Sequence, residues 1–144
     1  NAIGSKLKKF NNYTIVLIGD GELNEGSNWE SFLSAAKNKL NKLIVCIDRN
    51  SFQSYSSTNE VLPLFDLFEK LKSFGANVSE CNGNNYIEID KKIKQIKKKQ
   101  SNFNVLILNT IKGKGLQSIE NNNNWHHKSS ISEEDKKKLL MEIR

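Results

Sequence analysis

Apolar residues along this chain come in blocks. Residues 14–18 (Thr-Ile-Val-Leu-Ile), 43–47 (Leu-Ile-Val-Cys-Ile) and 105–108 (Val-Leu-Ile-Leu) are continuous apolar or β-branched runs. Such runs predict strands of a parallel sheet buried on both faces. A shorter strand is predicted at 77–81. Between the strands, apolar residues recur at helical spacing. Trp29, Phe32, Leu33, Ala36 and Leu40 give one helix its inner face, and Ser27-Asn28-Trp29-Glu30 fits a capping box at its start. Leu64, Leu67, Phe68 and Leu71 predict a second helix, with Pro63 in its first turn and Gly75 as its stop. After the turn residues Asn82-Gly83-Asn84-Asn85, the stripe Tyr86, Ile89, Ile93, Ile96 predicts a third. A short helix opens the chain, and Ser132-Glu133-Glu134-Asp135 caps a last one with Leu139, Leu140 and Ile143 on one side. Residues 51–59 lack periodicity and read as a loop, and the four asparagines at 121–124 predict a mobile segment. Alternating strands and helices imply a single α/β domain, a mainly parallel sheet with helices on both faces.

The strand ends carry the candidate chemistry. The first run stops at Gly19-Asp20-Gly21 and the second at Asp48-Arg49-Asn50. Their separation suits a βαβ unit, which brings the chain back beside its starting point. Both polar tips then lie at the carboxyl edge of the sheet, where open α/β sheets bind ligands. A carboxylate from Asp20 and an amide oxygen from Asn50 suit a hard cation. Mg²⁺ takes oxygen ligands and is held by few protein groups when substrate phosphates complete its shell. Gly19 and Gly21 leave room for a diphosphate and permit positive φ. Taken alone, Gly-Asp-Gly is also ordinary turn punctuation.

Gly19-Asp20-Gly21 with Asn50 at this distance resembles the thiamine diphosphate fingerprint, and Glu22-Leu23-Asn24-Glu25-Gly26-Ser27-Asn28-Trp29-Glu30 resembles its transketolase form. Thr110-Ile111-Lys112-Gly113-Lys114-Gly115, Glu120 and Trp125-His126 are similar to the later cofactor and substrate segment of that family, in the same order. The resemblance covers essentially the whole chain but only part of a transketolase, the C-terminal part of a diphosphate-binding domain. It implies Mg²⁺ ligation by Asp20, Asn50 and the Phe52 carbonyl, and cofactor contacts from Gly19, Asp20, Gly21, Asn50, Lys112 and His126. His126 would meet the substrate at the reacting centre, where an imidazole exchanges protons with a sugar hydroxyl near pH 7. Glu25 has two readings: a buried carboxylate in a network near the cofactor and the subunit contact, as the family suggests, or a first-turn acid favoured by the helix dipole.

The same resemblance implies transfer of a two-carbon ketol unit between sugar phosphates. It also implies a pyrimidine-binding domain or subunit that completes the site, in an oligomer. Residues 2–7 resemble the end of a helix that, in the family, follows a long segment with further cofactor contacts. That segment is expected from a longer form of this protein or from another polypeptide. Deoxyxylulose-phosphate synthase and 2-oxoacid decarboxylases share the fingerprint, but residues 24–30 favour transketolase. A non-catalytic subunit that keeps the fold would need none of Asp20, Asn50, Lys112 and His126. Departures from the family pattern are His127 where Gly is common, Arg49 at a variable position, Ser54-Tyr55-Ser56-Ser57-Thr58 for Ile-Asp-Gly-Thr-Thr, and Asn82-Gly83-Asn84-Asn85 for Asp-Gly-His-Asp.

Composition narrows the partners. A domain of 144 residues buries about 70% of its unfolded surface and needs no disulfide staples. Cys46 and Cys81 read as buried thiols. The net charge of +6 comes almost entirely from lysines, concentrated at 91–99 and 136–138, which on helices form solvated faces. Without interleaved aromatics they do not indicate nucleic acid. No apolar run reaches the length of a membrane span and no leader opens the chain, so the expectation is a cytoplasmic protein.

Overall fold

The computed structural model describes residues 1–54, 56–98 and 101–143. Tyr55 of the departing loop, and Lys99 of the lysine run, lie outside the described residues. The elements follow in the order α1 (Ala2–Leu7), β1 (Thr14–Gly19), a 3-10 turn (Gly21–Asn24), α2 (Gly26–Lys37), β2 (Leu43–Arg49), α3 (Thr58–Val61), α4 (Leu67–Ser73), β3 (Asn77–Asn82), α5 (Tyr86–Ile96), β4 (Asn104–Asn109), a second 3-10 turn (Asn123–Trp125) and α6 (Glu133–Glu142). The four strands form one sheet in the order β1-β2-β4-β3, parallel at every pairing. Helices cover both faces, as the alternating pattern requires.

Strand register decides which side chains meet which helices. Val45, Ile47, Val105 and Ile107 project to one face and pack with Phe32 and Ala35 of α2 and Leu67 and Leu71 of α4. Ile44, Cys46 and Leu106 project to the other and pack with Ile96 of α5. Phe103 is fully buried and stacks on Phe32 with ring centroids 5.8 Å apart. Each such side chain contributes about 1.5–3 kcal/mol on burial. Cys46 and Cys81 are both buried free thiols.

Several local expectations are corrected. β1 is an edge strand, and Ile15, Val16 and Leu17 are exposed, so it is not buried on both faces within this chain. Ser27 does not cap α2: the helix begins at Gly26 behind the 3-10 turn, and its N-cap, Glu25, makes no side-chain capping bond. On α2, Leu33 faces outward and Ala35 is buried in its place. Pro63 and Leu64 precede α4, which is capped by Asp66 accepting from the Glu69 amide at 3.0 Å. The loop expected over 51–59 gives way to α3 at Thr58, capped by Ser57. Of the asparagines at 121–124, Asn121 ends a turn, Asn122 caps the second 3-10 turn, and Asn123 and Asn124 belong to it. α6 starts where expected, with Ser132 accepting from the Asp135 amide, but buries no residue.

Candidate functional site

β1, β2, β3 and β4 end at Gly19, Arg49, Asn82 and Asn109, in register along one edge. The candidate residues therefore emerge side by side. Asp20, the first residue beyond β1, is almost completely buried at 2% exposure. Its Oδ1 accepts from the Gly21 amide at 2.9 Å and its Oδ2 from the Ser51 amide at 2.7 Å. The second bond ties the tip of β1 to the peptide that follows Asn50. Ser51 has φ of 67°, a left-handed backbone that a serine adopts only at a cost, and such residues cluster at ligand clamps. Asn50 Oδ1 accepts from the Phe52 amide at 3.0 Å, and Phe52 forms an isolated bridge with Ser57. Asp20 and the Asn50–Phe52 segment are thus held together.

The electrostatics at Asp20 favour an added cation. Burial pushes its pKa above the ordinary 3.8, and the Asp48 charge pushes the same way, against the Ser51 and Gly21 amides. A buried carboxylate that two amides do not fully compensate is stabilised by a nearby positive charge. With oxygens from Asp20 and Asn50 at one edge, the donor set fits a hard divalent ion. No cluster of three His, Cys, Asp or Glu side chains exists among the described residues, so the remaining ligands would be amide, carbonyl, phosphate or water oxygens.

Neighbouring side chains lie against both glycines. Neither Gly19 nor Gly21 has positive φ. The Gly19 amide donates to Glu22 Oε2 at 2.6 Å. At Gly21 the space is taken by the chain itself: a Cβ there would lie 2.9 Å from the Gln53 Cβ. Glu25 is exposed at the N-cap of α2, so within this chain it sits neither in a buried network nor in the first helical turn.

A second cluster follows β4. Thr110 Oγ1 donates to Asp48 Oδ1, which fixes the chain leaving β4 to the end of β2. Asn84 Oδ1 accepts from the Ile111 amide at 2.9 Å, and the Gly83 amide donates to the Asn109 carbonyl at 2.8 Å. Lys112 follows, and its carbonyl accepts from the Asn121 amide at 2.9 Å. Gly113 has φ of +76°, and a Cβ there would meet the Ile119 carbonyl oxygen at 2.8 Å, so this tight return requires glycine. Lys114 pairs with Glu120 at 3.0 Å.

His126 closes the second 3-10 turn beside His127, with ring centroids 4.5 Å apart. Its Nδ1 is buried with no hydrogen-bond partner among the described residues. Burial first, then the positive charge of Lys112 and the His127 ring, hold its pKa below 6.5. A neutral imidazole at pH 7 beside a lysine can accept a proton or donate a hydrogen bond. The cavity of about 340 Å³ at the opposite edge, lined by Lys6, Phe10, Leu40 and Lys42 among others, includes none of these residues.

Sequence reasoning missed Glu22, Gln53, Asn84 and the Thr110–Asp48 bond. The Asn82-Gly83-Asn84-Asn85 turn was a usable signal for Asn84, because an Asn-Gly turn beside a strand end places amide oxygens next to neighbouring backbone. Gln53 carries no sequence signal at all.

The family model described as "Transketolase, thiamine diphosphate binding domain" matches residues 4–142. An apulose-4-phosphate transketolase subunit of Actinobacillus succinogenes is 41% identical over 117 residues, spanning 81% of this chain and 40% of that protein. The 6-deoxy-6-sulfo-D-fructose transketolase subunit SqwG of Clostridium sp. is 37% identical, spanning 79% of this chain and 42% of that protein. The crystal structure of transketolase from Campylobacter jejuni superposes with a TM-score of 0.73 at 26% identity, over 80% of this chain and 18% of that one. The chain therefore spans about two fifths of the length of these curated relatives.

Proposed function

Because the chain belongs to the transketolase family, as its thiamine diphosphate-binding portion, we propose that residues 1–144 form the C-terminal part of a diphosphate-binding domain that holds its cofactor through Mg²⁺. The observation that carries this reading is the buried Asp20 carboxylate bonded to the peptide next to Asn50. Asp20, Asn50 and the Phe52 carbonyl are the chain's ligands for the ion. The backbone at Gly19 and Gly21 flanks the diphosphate, and Lys112 supplies positive charge to it. When bound, thiamine diphosphate supplies the carbanion chemistry that breaks and forms carbon–carbon bonds.

His126 is the residue that meets substrate. Its neutral ring, held so by burial and Lys112, donates to or accepts from a hydroxyl of a sugar phosphate. The exposure of Glu25 supports its assignment to a contact with a neighbouring polypeptide. Two relatives are named as transketolase subunits, which supports an assembly in which a partner subunit or domain binds the pyrimidine end of the cofactor. The activity is transfer of a two-carbon ketol unit between sugar phosphates, in an oligomer. No helix among the described residues is long and apolar enough to cross a membrane. A cytoplasmic setting is part of the proposal.

Calorimetric titration of thiamine diphosphate with Mg²⁺ into the assembled enzyme tests the reading. Asp20→Ala should abolish Mg²⁺-dependent binding, and unchanged affinity in that variant would refute the metal assignment.

A further inference from the structure

Gln53 holds a buried polar group that has no hydrogen-bond partner among the described residues. It follows Phe52 on the loop that leaves β2, and its Cβ lies against Gly21. Its Oε1 accepts from Asn24 Nδ2 at 3.2 Å, a long bond between two neutral amides. Its Nε2 is buried and makes no hydrogen bond to any described residue. Buried donors are nearly always paired, so an unpaired one beside a candidate anion site has a functional explanation. The side chain lies against Gly21, next to Asp20, and its residue directly follows the Asn50–Phe52 segment.

We infer that Gln53 is a further cofactor-binding residue, a latch whose buried amide turns from Asn24 to donate through Nε2 to a diphosphate oxygen of thiamine diphosphate. The inference rests on the cofactor reading above. Its energetics follow from the partners on each side. Turning gives up one long bond between neutral groups and gains one to an ionised acceptor, which is shorter and roughly twice as strong. The same movement gives the orphaned donor its partner. The Asp20 carboxylate accepts from the Gly21 and Ser51 amides, and a diphosphate oxygen at the same edge offers Nε2 an acceptor of its own. Asn24 holds the side chain in its resting position.

The experiment uses the full chain in its assembled enzyme and compares the parent with Gln53→Leu and Gln53→Glu. Calorimetry gives the dissociation constant of thiamine diphosphate with Mg²⁺, and a thermal midpoint without cofactor gives the stability of the fold. Both variants should bind roughly 10–100-fold more weakly, the loss of one charge-assisted hydrogen bond. The midpoint of Gln53→Leu should not fall, because leucine removes the unpaired donor. In ¹⁵N-labelled parent, the Gln53 side-chain amide signal should shift on cofactor binding. Parent-like affinity in both variants, or weakening matched by a lowered midpoint, would overturn the latch and leave the cofactor reading intact. A parent that binds no thiamine diphosphate would overturn both.

Discussion

Gly21→Ala is the substitution whose effect follows most directly from the geometry of the site. The new Cβ would stand 2.9 Å from the Gln53 Cβ, with the Gln53 Oε1 at 3.4 Å. Carbon atoms pack best at about 3.5–4.0 Å, so the two backbones must separate by roughly 0.6 Å or more. The nearest atom is a Cβ, fixed to its backbone, so rotating the glutamine does not relieve the contact. Overpacking of this kind costs about 1–3 kcal/mol. The displaced loop also carries the Ser51 amide bonded to Asp20, and with it Asn50 and Phe52. Urea unfolding followed by tryptophan fluorescence should show a lower midpoint at unchanged slope. Thiamine diphosphate should also bind more weakly in the presence of Mg²⁺. Gln53→Gly removes the opposing Cβ, so the double variant should be no less stable than Gln53→Gly alone. An unchanged midpoint for Gly21→Ala, or additive losses in the double variant, would refute the close approach of the two strand tips.

Other consequences follow from the core and the second cluster. Phe103→Ala empties a fully buried site against Phe32 and should cost about 3–5 kcal/mol in urea unfolding; a loss below about 1 kcal/mol would contradict the packing. Gly113→Ala imposes both a strained φ and a contact with the Ile119 carbonyl, so the same measurement should show a loss of roughly 2–4 kcal/mol. His126 has a folded pKa below its unfolded value of 6.5, so the unfolded chain binds more protons between the two. Its contribution to stability is present above 6.5 and is lost as pH falls through the folded value. Lys112→Met should move the His126 titration upward in an NMR pH series, and no movement would show that the lysine does not act on the ring.

The parts of the fold legible in the sequence are those fixed by local pattern. Continuous β-branched runs located the first, second and last strands to within a residue or two, because a strand buried on both faces has no room for polar residues. The same logic misjudged β1. Its composition is that of a covered strand, whereas whether a neighbour covers it is a property of the sheet order, and here Ile15 and Leu17 stand open. The start of α2 failed for a related reason. Ser27 with Glu30 is a valid capping pattern, but Asp20 nucleates a 3-10 turn just upstream and carries the chain into the helix before Ser27.

At the site, strand ends and residue chemistry were enough to pair Asp20 with the Asn50 loop. They were not enough for Gln53, whose importance comes from a contact with Gly21 across a loop without periodicity. The role of Asn84 depends on β3 lying beside β4. Residue spacing along the chain does not encode that adjacency.

The central claim is that one divalent ion sits between Asp20 and the Asn50–Phe52 segment. Mn²⁺ accepts the same oxygen ligands as Mg²⁺ and broadens the NMR signals of nearby nuclei. Added at substoichiometric levels with thiamine diphosphate to the labelled protein, it should first erase the amide signals of residues 20, 21 and 50–52, and Asp20→Asn should prevent this. Broadening that instead begins at the exposed acids of α6, Glu133 and Glu134, with residues 20 and 50–52 unaffected, would contradict the account.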